Sequence, residues 1–131
     1  MSWTGFMAVG VGAAVGAWAR WGLGAMLNPM FPTLPLGTLA ANLTGGLLIG
    51  LAMEAVSRHG ALGPEMRLLI TTGFLGGLTT FSTFSAEITT LVLRRELLWT
   101  GLGIAAHVIG SILLTLAGIM LARALYAWGA P

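Results

Sequence analysis

The chain has 131 residues, of which 56% are hydrophobic and only 8% charged, and it contains no cysteine. With a mean hydropathy of +0.92, this composition is typical of an integral membrane protein and not of a soluble domain. The lack of cysteine excludes disulfides, thiolate metal sites and cysteine nucleophiles. The net charge of +2 rests on six arginines against four glutamates, and these arginines form no patch typical of nucleic-acid binding.

Four segments are long and apolar enough to cross a bilayer as helices, which takes about 20 residues each. They are 4–27, 36–56, 67–93 and 98–124. The connectors between them are short, so the sequence predicts one all-α transmembrane domain of four helices in a cell membrane. No basic residue precedes position 20. The basic region of a signal peptide is therefore missing, and the first segment is predicted to be a retained span.

The arginines do not favour one orientation of these helices. Positive charge orients membrane proteins, but if both termini lie on one side, each side carries three arginines. Those on the side of the termini are Arg58, Arg67 and Arg123, and those on the other side are Arg20, Arg94 and Arg95. Two interpretations remain open. Loop position or the free amino terminus decides the orientation, or the protein is a dual-topology, antiparallel homodimer whose two copies insert in opposite directions.

Polar side chains on the first two segments have both structural and functional interpretations. Arg20 continues a face of small residues at i,i+4 spacing, which predicts either a contact with another helix or a side chain that reaches the interface. On the second segment Thr38 and Asn42 are four residues apart. An asparagine amide in hydrocarbon usually joins two helices, so Asn42 taken alone is more often structural.

The fourth segment carries His107, Ser111 and Thr115 at i,i+4 spacing, so that three polar groups share one helix face. Serine and threonine often bond back to carbonyls of their own helix. This alternative would explain Ser111 and Thr115 but not His107. Polar residues repeated on two different helices indicate a lined pathway.

The third segment contains the sequence GFLGGLTTFSTFSAE at 73–87, which is a poor helix interior. Its glycine and threonine pairs predict a break in mid-span, which is tolerated only where the backbone is buried in protein or lines a cavity. Carbonyls freed by such a break can coordinate a small cation. Beyond it, Phe81 and Phe84 share a face. Ring edges are positive, so with hydroxyl, amide and imidazole donors they favour a small anion. The hydroxyls belong to Thr80, Ser82, Thr83 and Ser85.

This segment is similar to the signature of the Fluc/CrcB family of fluoride channels. The sequences GAWARW around Arg20 and GTLAANLTGG around Asn42, and the pair Gly110 and Ser111, also match in order and spacing. The resemblance covers essentially the whole chain. It implies a four-helix subunit that forms an antiparallel homodimer with two pores and passively exports fluoride across a membrane, which is predicted to be the bacterial inner membrane.

The resemblance also implies site residues, position by position. A structural sodium ion at the dimer interface would be held by the backbone carbonyls of Gly76 and Thr79 from each subunit. The hydroxyl residues Ser82 and Thr83, found from the sequence pattern, are added to the pore residues that the resemblance implies. The predicted fluoride pore then comprises Thr38, Asn42, Phe81, Ser82, Thr83, Phe84, His107, Ser111 and Thr115. Arg20 and Glu87 are predicted to be vestibule or structural charges. Some members of the family have a tyrosine where this chain has Gly103, so this chain departs from any ion site that uses that tyrosine.

Two other classes of function compete with a fluoride channel. A proton-coupled exporter of the small multidrug-resistance type has a similar size and four helices, but it relies on an acid in the first helix, where this chain has Arg20 and no acid. A non-conducting packing subunit would explain the glycines but not the polar faces. No nucleophile–base pair or metal-ligand cluster stands out, so no enzyme activity is predicted.

Overall fold

The computed structural model describes residues 2–59 and 62–129, and the regular elements within these two ranges are all helical. Four of the resulting segments are long and apolar enough to cross a membrane. They are Trp3–Met30, Leu36–Ser57, Pro64–Leu93 and Leu97–Trp128. The prediction of an all-α chain with four such helices is therefore confirmed.

The first two helices are joined by a tight, proline-containing connection. Helix α1 (Trp3–Leu27) begins after Ser2, whose hydroxyl accepts a hydrogen bond from the Gly5 amide at 3.1 Å and so caps the helix. A single 3₁₀ turn, Asn28–Met30, follows. Helix α2 (Leu36–His59) begins near α1 because the side-chain oxygen of Asn28 accepts from the Gly37 amide at 2.8 Å.

The third span consists of two helices separated by two extended residues. Helix α3 (64–78) starts with proline in its first turn and has π-type hydrogen bonding over Leu68–Leu75. Thr79 and Thr80 leave the helix with ψ of 156° and 124°. Helix α4 (Phe81–Leu93) then begins with the Thr80 hydroxyl as its cap. The glycines at 76 and 77 are helical, and it is the β-branched threonines that are extended, a conformation that suits them.

Helix α5 (Leu97–Gly129) is the longest helix and follows a turn at residues 94–96. Arg95 occupies the left-handed region with φ of 59°. The Glu96 amide bonds to the Leu91 carbonyl and the Arg95 amide to the Val92 carbonyl, both at 2.9 Å. This pattern ends α4 and reverses the chain direction, although the left-handed position is more often occupied by glycine.

Glycines allow the helices to pack in two close pairs, α1 on α3 and α2 on α5. A Cβ atom at Gly12 or Gly16 would collide with backbone atoms of α3, and one at Gly50 would collide with the Thr115 carbonyl of α5. Small residues at such positions let helix backbones touch, which is how helices associate in lipid. The two helix pairs, which position the polar residues between them, can therefore pack this closely only with glycine at these positions.

An ion pair fastens the outer ends of α2 and α5. Glu54 is buried, and its Oε2 atom accepts a hydrogen bond from Arg123 Nε at 3.1 Å. The Arg123 side chain is 61% exposed, so water screens this ion pair and its contribution to stability is modest. The side chain of Arg58, one turn beyond Glu54, lies outside the described residues.

Candidate functional site

The two extended residues of the third span are held by the side chain of Asn42 on α2. Its Oδ1 atom accepts from the Thr80 amide at 2.7 Å, and its Nδ2 atom donates to the Thr80 carbonyl at 3.0 Å. Thr80 is buried, and buried backbone groups need hydrogen-bond partners. The Asn42 side chain therefore supplies hydrogen-bond partners to both backbone groups of Thr80, as a neighbouring strand would in a sheet.

The same amide connects the break to α5. Asn42 Nδ2 lies 3.1 Å from His107 Nδ1, and the imidazole is only 4% exposed. The His107 ring packs against Phe84 with centroids 4.7 Å apart, and Phe84 packs against Phe81 with centroids 5.5 Å apart. Residues from α2, from the third span and from α5 thus form one continuous cluster.

These residues line a cleft of about 340 Å³, which we call the aromatic cleft. Its walls are Asn42, Thr80, Phe81, Phe84, His107, Val108, Ser111 and Ile112. Its lining residues include an asparagine, a threonine, a serine and a histidine together with two phenylalanines, and none of them is a carboxylate. Phe84 is buried, whereas Phe81 is 76% exposed at the edge of the subunit.

A second cleft, of about 370 Å³, lies on the α1 side of the break and is called here the arginine cleft. Its walls are Ala17, Arg20, Trp21, Gly24, Ala25, Asn28, Thr38 and Thr83. Thr83 connects the two clefts, because its hydroxyl accepts a hydrogen bond from the Thr80 hydroxyl at 3.1 Å. Most of the predicted pore residues are therefore divided between two clefts that meet at neighbouring threonines, and Ser82 and Thr115 line neither cleft.

Two charged side chains flank the break, and each has a partner in the protein. Arg20 Nε donates to the Gly77 carbonyl at 3.1 Å, at the C-terminal end of α3, where the helix dipole favours a cation. Arg20 therefore contacts the end of α3. The hydroxyl of buried Thr38 donates to Glu87 Oε1 at 2.5 Å. Glu87 Oε2 is buried and has no partner among the described residues.

The carbonyl oxygens of Gly76 and Thr79 are available as ligands for a cation such as the sodium ion that the family resemblance implies. In a continuous helix they would accept from the amides of Thr80 and Thr83. Those amides bond instead to Asn42 Oδ1 and to the Thr80 hydroxyl. Gly76 is exposed, and a Cβ atom there would meet nothing within 4 Å. Both carbonyls have thus lost their helical donors, and the space beside Gly76 is open.

Two positions on α5 that the sequence singled out, Thr115 and Gly103, line neither cleft. The Thr115 hydroxyl bonds back to the Ser111 carbonyl at 2.9 Å, and Thr115 lies at the contact with Gly46 and Gly50 of α2 and lines neither cleft. Gly103 is buried. A Cβ atom there would lie 2.8 Å from the Ile88 side chain and 3.0 Å from that of Leu34. Apolar side chains therefore fill the space next to Gly103.

Sequence reasoning missed the partners of several site residues. It did not find that Arg20 binds the Gly77 carbonyl, that Thr38 binds Glu87, or that Asn42 binds the Thr80 backbone. These partners are 57, 49 and 38 residues apart. The only signal for them was that each polar side chain lies within a span, where it needs a partner.

Four helices of spanning length, with polar side chains gathered at a break in the third span, define a polytopic membrane protein. The model of a family described as "CrcB-like protein, Camphor Resistance (CrcB)" matches residues 7–119. The chain belongs to this family, and the resemblance found in its motifs is confirmed.

Similar proteins from bacteria support the same assignment, and each is named "Fluoride-specific ion channel FluC". One from Nitrosospira multiformis is 62% identical over 113 residues, which cover 86% of this chain and 88% of the relative. One from Pseudomonas putida is 58% identical, with coverage of 86% and 89%. One from Ralstonia pickettii is 55% identical over 123 residues, with coverage of 94% and 98%. Relatives named as channels agree with the prediction that the chain is not an enzyme.

Proposed function

We propose that the protein is a fluoride-specific channel through which fluoride leaves the cytoplasm passively. The observation that carries this proposal is the aromatic cleft, where hydrogen-bond donors and phenyl rings meet inside a membrane span without a carboxylate among the lining residues. A cation path needs carboxylates or rings of carbonyls, whereas a small anion needs donors and positive ring edges. The names of the relatives point to the same ion.

The path that we infer runs from the arginine cleft to the aromatic cleft. Arg20 is the one full charge among the residues that line the first cleft, and a cation in a cleft raises the local concentration of anions. The hydroxyls of Thr83 and Thr80 lead from there to the second cleft. Ser82 lies beside them, with its hydroxyl 3.3 Å from that of Thr80. In this proposal the first cleft attracts fluoride and the second selects it.

We further propose that two copies assemble antiparallel in the membrane, which gives two pores. The balanced arginines support equal insertion in both directions. The exposed Phe81 ring and the open space beside Gly76 support a second copy at this face of the subunit. The membrane that we infer is the bacterial inner membrane, since the relatives come from bacteria.

A sodium ion at the interface of the two copies is part of the same proposal. The carbonyls of Gly76 and Thr79 would hold it, because both have lost their helical donors. A bound cation would offset the partial negative charge at the C-terminal end of α3.

Gly76→Leu tests the interface and the sodium proposal together. A side chain at Gly76 meets nothing within one subunit, so we expect the protein to fold but to lose the dimer and all fluoride efflux. Light scattering in detergent measures the oligomeric state. Thr79→Ser is the matched control. It keeps the backbone ligand and the hydroxyl that bonds to the Leu75 carbonyl, so it should form dimers and conduct normally. Equal damage from both changes would argue for a side-chain ligand, and a fully active Gly76→Leu dimer would contradict the interface.

The fluoride assignment itself is tested with purified protein in liposomes loaded with equal concentrations of fluoride and chloride. With both anions present as potassium salts, we expect ion-selective electrodes to record rapid release of fluoride and retention of chloride once valinomycin lets potassium follow. Release that needs a proton gradient would favour the proton-coupled exporter. Equal release of the two anions would contradict fluoride specificity.

A further inference from the structure

His107 carries a buried nitrogen that the cluster around it does not satisfy. Nε2 has no hydrogen-bond partner among the described residues, while Nδ1 faces Asn42. An unsatisfied polar atom in a buried position costs free energy and is therefore often functional. Which of the two nitrogens carries the proton decides what Nε2 can bind.

The orientation of the Asn42 amide follows from its two bonds to Thr80. A backbone amide can only donate a hydrogen bond and a backbone carbonyl can only accept one. The Thr80 amide lies 2.7 Å from one end of the side chain and the Thr80 carbonyl 3.0 Å from the other end. The oxygen of Asn42 must therefore face the amide, and its nitrogen must face the carbonyl.

The tautomer of His107 follows in turn. The atom of Asn42 that lies 3.1 Å from His107 Nδ1 is Nδ2, which has only hydrogens to offer. Two donors cannot face each other at this distance, so Nδ1 must be the acceptor and carries no proton. A neutral imidazole then holds its proton on Nε2. Both hydrogens of the Asn42 amide are used, one on Thr80 and one on His107.

We propose that Asn42 is a positioning residue that holds His107 in the Nε2–H tautomer, and that this N–H is a donor to fluoride in the aromatic cleft. The inference rests on the proposed function and names a group that would bind the ion. Phe84 packs on the imidazole and limits its rotation. Because Nε2 lies beneath the surface, an ion reaches it when a neighbouring side chain moves. Of the two phenyl rings, the exposed Phe81 is the less confined.

The tautomer can be measured without transport. The chain has two histidines, so a His59→Gln background leaves His107 as the sole source of imidazole signals. In this background, nitrogen-15 chemical shifts in detergent or bilayers should show a protonated Nε2 and an unprotonated Nδ1. The isosteric Asn42→Asp places an acceptor opposite Nδ1 and should move a proton onto Nδ1. A proton on Nδ1 while Asn42 is present would overturn the proposal.

The role of Nε2 in transport is tested by two substitutions of different reach. In His107→Gln the side-chain amide extends about as far as Nε2, whereas in His107→Asn it extends only about as far as Nδ1. We expect the glutamine variant to keep fluoride efflux within about threefold and the asparagine variant to lose about tenfold or more, the difference of one hydrogen bond. Equal efflux from the two variants, high or low, would overturn the donor role.

Failure of this inference is distinguishable from failure of the proposed function. If the unaltered protein releases no fluoride from liposomes, the channel assignment is wrong whatever the tautomer. If the unaltered protein conducts but Nδ1 carries the proton, the channel assignment stands and the inference about Asn42 and His107 is wrong.

Discussion

The two clefts beside the break differ in how they can act on an anion. The arginine cleft has a full positive charge and lies next to the first helix, whereas the aromatic cleft has only neutral donors and phenyl rings. A full charge attracts any anion at long range, but oriented donors and ring edges act only at contact. In the proposed path, attraction and selection of the anion are therefore separate steps, and the bonded hydroxyls of Thr80 and Thr83 lie between the two clefts.

The largest difference between the clefts should appear when the same charge is placed in each. Asn42→Asp puts a carboxylate in the aromatic cleft and sets one of its oxygens against the Thr80 carbonyl. At about 5 Å and an effective dielectric of about 20, repulsion of fluoride is about 3 kcal/mol, or about 100-fold in occupancy. We expect efflux to fall about 100-fold while the dimer forms. At low pH, protonation of the introduced carboxylate should restore fluoride efflux to this variant.

Asn28→Asp is the matched control in the arginine cleft. The side-chain oxygen of Asn28 accepts from the Gly37 amide at 2.8 Å, and a carboxylate can keep this bond. Arg20 lines the same cleft and offsets part of the new charge. Efflux from liposomes should therefore fall by about tenfold or less. Equal losses from the two aspartates would show that the clefts do not differ as proposed.

An intermediate effect is expected when the charge of the arginine cleft is removed. Arg20→Gln removes the cation and weakens the bond to the Gly77 carbonyl, so efflux should fall about tenfold at low ionic strength. Arg20→Lys keeps the charge and should lose less. Salt screens long-range attraction, so the difference between the two variants should shrink in high salt. A difference that does not depend on salt would assign Arg20 a purely structural role.

The smallest effect is expected at Glu87. Glu87→Gln keeps an oxygen that can accept from Thr38, and a passive channel has no step that needs the proton of this acid. Fluoride efflux should therefore stay within about threefold of the unaltered protein, a difference below 1 kcal/mol. Loss of transport in this variant together with full activity of Asn42→Asp would replace the channel with a proton-coupled exporter.

The sequence predicted the spans, and it named several residues that line the two clefts, but it did not predict how these residues bond to one another. Hydropathy was enough for four helices, because crossing a membrane requires long apolar runs. Motif similarity was enough for the family. The hydrogen bonds of Asn42 to Thr80 and His107 could not be predicted from the sequence, because they depend on how α2 is rotated relative to two other helices.

The position of the break shows the same limit at the level of the backbone. The glycines at 76 and 77 were part of the signal for a break, yet both are helical. Gly77 is needed because a side chain there would collide with the Ala13 carbonyl of α1. The extended residues are stabilised by Asn42 and by the Thr80 cap. A local pattern of poor helix formers thus indicates a break without showing which residue serves packing and which leaves the helix.

The central claim is that fluoride crosses this protein alone, as a charged ion. It is tested most directly with liposomes that hold potassium fluoride, with equal pH on both sides and a fluoride electrode outside. We predict almost no release until valinomycin lets potassium follow, and then rapid release that a protonophore does not change. Rapid release without valinomycin would contradict the account, because it would mean that fluoride leaves together with a proton and carries no net charge. Release in valinomycin that a protonophore changes would also contradict it, because it would mean that fluoride moves in exchange for protons.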